Sequence, residues 1–366
     1  MNTLKIFQKS TFRAGLGLLL IGMVWLAFGY ELEANSDKLG PPPIMPDAPI
    51  AETVDSPLVV GDLLPRVYLP YVIAPEAETP WVDTQNRQAV INFYQIDYKA
   101  SDGVDSGWTG NRDGCNPGTT TAAFKSAIVN RINYFRNMAG VPSITGLRDE
   151  YNQKAQQAAL MMSVNNALSH DPPNNWLCYT TEGDDAAGSS NLYLGVYGPA
   201  AISGYIVDPG GGNYFVGHRR WILYPQTQFM GTGDIPGTGG RPSNALWVFD
   251  RDNMWGARPE TRESFVAWPP PGYVPYQVVY PRWSFSYAKA DFSAATVTMT
   301  QNGVPVSVAV QPVGNGYGEN TLVWEPNISI SAPSSDVVFH ITINQVGGNG
   351  IPSTFDYDVI MINPGS

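Results

Sequence analysis

Residues 204–223 read GYIVDPGGGNYFVGHRRWIL. A short apolar run ends at Asp208, a proline and three glycines follow, and Gly217-His218 opens a second run behind two arginines. Glycine reaches backbone conformations closed to other residues. The stretch therefore predicts a helix from Pro199 through Asp208, a glycine-rich loop, and a short strand in RRWILYP (219–225). His218 is one of only three histidines in the chain. It stands where the loop enters the apolar run, as a catalyst, a metal ligand or a packed side chain that holds the loop.

The segments upstream read as helices. Residues 119–140 carry Phe124, Ile128, Ile132, Phe135 and Met138 at spacings of four, four, three and three, one apolar stripe. A threonine among 119–121 can cap this helix, and Gly140 and Pro142 stop it. A second helix is expected from about Asp149 to Leu168, with Tyr151, Ala155, Ala158, Met162 and Asn165 on one face, before Pro172 and Pro173 forbid continuation. A shorter amphipathic helix is expected after Trp81, with Val90, Phe93, Tyr94 and Tyr98 at helical spacing. QTQFMGTG and NALWVFD (244–250) read as short strands. Helices followed by strands around one hydrophobic body predict the α+β class.

Beyond Pro281 the texture changes. ATVTMTQNGVPVSVAV alternates about Asn302-Gly303, a hairpin signal. NTLVWEP, DVVFHITIN and TFDYDVIMINP supply more strands, and together they predict a small all-β sandwich over 281–366. Residues 256–280, with their prolines, read as a linker. Residues 81–118 read as an N-terminal extension of the helical domain at 119–255.

The 366 residues carry a formal net charge of -11 and no long basic stretch, which removes the electrostatic basis for nucleic-acid binding. Lys5, Lys9 and Arg13 precede an apolar run over 14–30, a signal peptide or a membrane anchor. Either one places the remainder outside the cytoplasm, secreted or anchored. Proline-rich residues 31–80 read as a linker. The two cysteines, Cys115 and Cys178, suit an oxidising compartment and are expected to pair.

NALSHDPP (166–173), GSSNLYLG (188–195), the opening stretch and NALWVFD occur in that order after a long amphipathic helix. Together they resemble the CAP superfamily, which includes cysteine-rich secretory proteins, venom antigen 5 and plant pathogenesis-related proteins, and its bacterial branch in particular. The resemblance implies an α-β-α sandwich over roughly residues 120–252, with a cleft where two histidines and two acidic residues meet. Its Leu-x-His motif falls on His170 and its Gly-His motif on His218. The first acidic position falls on Ser190, a departure, and the second on Asp208.

These positions imply a cleft built from Ser190, Asn191, Tyr205 and Arg219 beside the histidines. They also imply a divalent metal such as zinc on His170 and His218, weakened by the missing acid; otherwise each histidine hydrogen-bonds a neighbouring loop. His170, His218, Asp208 and Ser190 are the catalytic candidates. Ser190, Asp208 and His218 have the residue types of a triad, without the nucleophile-elbow sequence.

The leading expectation is an exported protein whose cleft binds a small apolar, lipid or peptide-like ligand. The alternatives are a metal-assisted hydrolase of peptides or cell-envelope material, and an envelope-structural or adhesive protein acting through its β module. Arg219 and Arg220 are expected either to grip an anion in the cleft or to sit in a buried ion pair. GTGDIPGTGG (231–240) reads as a surface loop, Asp184 and Asp185 as a solvated turn, and His340 as solvent-facing on a strand.

Overall fold

The computed structural model describes residues 81–365. The expected signal or anchor (1–30) and the proline-rich segment (31–80) lie outside the described residues. Helix α1 (Arg87–Phe93) starts where the Asn86 side chain accepts the Ala89 N–H at 3.1 Å. It continues not as one regular helix but as a π turn over 94–98 and a 3-10 turn over 99–101. Helix α2 (Ala122–Met138) is capped by Thr121, whose hydroxyl accepts from Phe124 N at 3.1 Å. Every residue of its predicted stripe is buried. Helix α3 (Asp149–Asn165) carries Asp149 and Glu150 in its first turn, where the helix dipole favours negative charge, and ends on Asn166 in the left-handed region.

Four further elements complete the central layer: β1 (Gly146–Leu147), β2 (Ser190–Leu194), β3 (Phe229–Ile235) and β4 (Ser243–Trp247). They form one sheet in the order β1-β3-β4-β2. Side chains alternate across its two faces. Leu192, Leu194, Ile235, Ala245 and Trp247 pack with α3 and with α4 (Thr181–Ser189). Tyr193, Met230, Leu246 and Val248 pack with α2, α5 (Pro199–Val207) and α6 (Gly217–Ile222). The sheet is thus sandwiched between helices. The closest approach is at Gly233, where a Cβ would lie 2.1 Å from the Ala155 backbone, so glycine lets α3 rest directly on β3. The disulfide Cys115–Cys178 ties the 81–118 extension to the loop ahead of α4.

Strands β5 (Val266–Trp268) to β13 (Thr354–Ile362) build the C-terminal β module. Between them lie β6 (Gly272–Pro275), β7 (Trp283–Ser286), β8 (Thr296–Gln301), β9 (Val304–Val306), β10 (Val308–Val310), β11 (Thr321–Pro326) and β12 (Val337–Asn344). They form two sheets, ordered β10-β11-β7-β5 and β6-β13-β12-β8-β9. Aromatic pairs join the facing sides: Phe285 with Phe355 at 4.8 Å and Trp283 with Phe339 at 5.4 Å. The Asn302-Gly303 turn links β8 and β9 as an antiparallel hairpin.

Several local expectations are corrected. RRWILYP is not a strand: residues 217–222 are helix α6, because the Asp208 carboxylate accepts N–H groups of its first turn. EGDDAAG is helix α4, with Asp185 bonded to Lys154 and Arg251. The first half of GTGDIPGTGG is strand β3. Residues 256–280 are not a plain linker, since β5 and β6 occupy an edge of each sheet, where proline is tolerated. One hydrophobic cluster runs from α2 through Trp268 to Phe339, with Phe135 and Trp268 rings 5.1 Å apart.

Candidate functional site

His170 follows α3 and is buried; its Nδ1 lies 2.7 Å from the Ala187 carbonyl oxygen on α4. A carbonyl only accepts, so Nδ1 carries a proton. His218 sits on the first turn of α6, 2% exposed, with Nδ1 2.7 Å from Asp208 Oδ1. The second carboxylate oxygen of Asp208 accepts the His218 backbone N–H at 3.0 Å. Asp208 can turn both oxygens to one residue because it closes α5 in the left-handed conformation, φ 53°. The Tyr205 ring stacks on the His218 imidazole at 5.5 Å, and its hydroxyl lies 2.7 Å from Asn244 Oδ1 and 2.9 Å from the Asn191 carbonyl. Burial pushes the Tyr205 phenol well above its usual range, so it stays a neutral donor.

His170 and His218 line one cavity, together with Ser190 and Asn191 at the start of β2. Its volume is about 10 Å³, room for a single water. Among the described residues, His218 Nε2, Ser190 Oγ and Trp221 Nε1, all on its lining residues, have no hydrogen-bond partner. Asn191 Nδ2 donates to the His218 carbonyl at 3.1 Å, fixing the helix turn against the sheet. Trp221, Phe249 and Tyr317 supply the aromatic side. Tyr317 comes from the β module, on the loop between β10 and β11, and packs on Phe215 with centroids 4.6 Å apart.

Residues 129–250 match the family model described as CAP: Cysteine-rich secretory protein family. The chain carries a CAP domain. Among curated proteins no match was found. Within the CAP domain, Asp208 stands behind His218 as its orienting carboxylate, and Ser190 places a hydroxyl in the cavity wall. Two of the expected cleft residues do not line the His170–His218 cavity. Tyr205 lies behind the imidazole. Arg219 points away from it, donating Nε to the Ile206 carbonyl at 2.7 Å and Nη1 to Ser284 Oγ at 3.0 Å. Arg220 is likewise buried and bonds carbonyls, not a carboxylate. Sequence reasoning missed Trp221, Phe249 and Tyr317. The first two fall inside motifs already quoted, whereas nothing local marks Tyr317.

The donor set bears on a metal. Catalytic zinc takes three protein ligands. Here both Asp208 oxygens are engaged by His218 and the first turn of α6, which leaves two imidazoles, and no group of three His, Cys, Asp or Glu suited to a metal occurs among the described residues. These residues do not fit a resident ion. What the arrangement offers is a carboxylate-held imidazole whose Nε2 faces a small, aromatic-walled space. It can accept a hydrogen bond or a proton there.

Proposed function

We propose that this chain is an exported CAP-domain protein whose small cavity captures the hydrogen-bond-donating head of a peptide-like or apolar ligand. The ligand's body would lie against Trp221, Phe249 and Tyr317. One observation carries this reading: the buried His218 Nε2 has no partner among the described residues. An unsatisfied buried acceptor costs about 1–3 kcal/mol, and a donor entering the cavity removes that cost. Few polar groups in an otherwise apolar wall is the usual make-up of a ligand site. Export rests on the basic and apolar N-terminus and agrees with the disulfide; envelope material is a partner compatible with that address.

The test is to extract the purified full chain and identify co-purifying molecules by mass spectrometry, alongside His218→Ala and His340→Ala. The bound compound should disappear in the first variant and persist in the second. A compound retained equally by all three, or stoichiometric metal on the wild type, would overturn the reading. Ser190 Oγ, unpartnered in the same cavity, favours a second reading. In that one, Asp208-held His218 acts as general base for a hydrolase. It requires ester or amide turnover that falls about 10²–10⁴-fold in His218→Ala.

A further inference from the structure

Helix α6 faces a second cavity on the side opposite the histidines. It is about 10 Å³, enclosed between the CAP domain and the β module, and its walls include Arg219, Arg220, Tyr224, Ser284, Ser286 and Glu319. Arg219 is 1% exposed and Arg220 4% exposed. Arg219 has Nε on the Ile206 carbonyl and Nη1 on Ser284 Oγ, and Arg220 has Nη1 on Gly314 O at 2.6 Å and Nη2 on Glu319 O at 2.9 Å. Each guanidinium keeps one buried nitrogen with no partner among the described residues, Nη2 of Arg219 and Nε of Arg220.

The partners of both arginines are neutral. Glu319, whose carboxylate lies in the same wall, is bonded by Arg258 through both oxygens. Asp208, the next acid, hydrogen-bonds His218 and touches neither guanidinium; its charge favours both cations but offsets only part of their desolvation. Burying a guanidinium without a counter-charge is expensive. Desolvation lowers Arg219 to about 10 and Arg220 to about 9, so both remain cations at neutral pH.

We propose that this cavity is a binding site for a small monovalent anion of chloride size, held by Arg219 Nη2 and Arg220 Nε. Ser284 accepts from Arg219 and so keeps its own hydroxyl proton to donate. The volume admits one water-sized sphere, so a halide, somewhat larger, needs the wall to give by a few tenths of an ångström, whereas sulfate and phosphate are excluded. The anion supplies the missing counter-charge and ties α6 to β7. The site is independent of what enters the histidine cavity.

Thermal unfolding of the purified full chain in sodium chloride, bromide and gluconate at one ionic strength tests this, with bromide anomalous diffraction as a second measurement. Gluconate is too large for the cavity. Both halides should raise Tm over gluconate by on the order of 2–5 °C, and Arg219→Met should lose the difference. A bromide peak should appear within hydrogen-bonding reach of both nitrogens. Should Arg219→Met fail to fold, the bromide peak decides on the wild type alone. A water in that place in bromide-grown crystals, with equal melting in halide and gluconate, would overturn the proposal.

Discussion

Asp208 is the residue on which the histidine cavity turns. Its side chain accepts the imidazole Nδ1–H and the His218 amide, and its carbonyl accepts Arg282 Nη1 at 2.6 Å. Asp208→Ala would leave buried donors without acceptors and should destabilise the fold by about 2–5 kcal/mol. Asp208→Asn keeps an amide oxygen and tolerates the left-handed backbone, so its loss should be clearly smaller. Urea unfolding of the two variants checks the order; equal losses would mean that backbone geometry matters more than the hydrogen bonds. The residue pair was legible in the sequence because two short motifs placed His218 and Asp208 on their positions. That the acid serves its neighbour rather than an ion was not legible, since it depends on where two oxygens point.

Among the elements, α2 and α3 were legible and α6 was not. A long stripe with a threonine before it and a glycine after it carries its own start and stop signals. By contrast, α6 is six residues long, too short for periodicity to separate helix from strand. The charge stabilising its first turn sits ten residues upstream. The edge strands β5 and β6 were hidden for a similar reason: prolines argue for loop, and β6 pairs in parallel with β13, far along the chain. The α3–β3 contact makes a firm prediction. With only 2.1 Å available at Gly233, Gly233→Ala must push the helix off the sheet and should cost about 3 kcal/mol, read as a lowered denaturation midpoint. Gly303, with open space at its Cβ, lies outside that contact and should affect packing far less, although its positive φ strains any replacement.

At the scale of the whole molecule, the junction between CAP domain and β module holds a buried acid. Desolvation raises Glu319 above its ordinary 4.5, opposed by the Arg258 hydrogen bond. A raised carboxylate binds more protons folded than unfolded, so its contribution to stability falls as pH rises from 4.5 through the folded value. Below that window Glu319 is neutral in both states. Glu319→Gln should therefore gain on the wild type as pH rises through the ordinary 4.5 and the raised folded value, measured as the difference in urea midpoints. A difference constant across that range would show that the acid titrates normally.

The loop that brings Tyr317 to the histidines is anchored by Arg220, whose Nη2 reaches Glu319 O across 99 positions of sequence. No local pattern announces such a contact. It carries a consequence for any attempt to recombine the halves. Transplanting residues 119–255 onto another carrier, or shuffling in a foreign C-terminal module, would strip one side from the chamber and bare its imidazole to solvent. If the chamber takes the proposed ligand, its selectivity belongs to the junction, and descendants that exchange tails would change what they recognise without altering a single histidine.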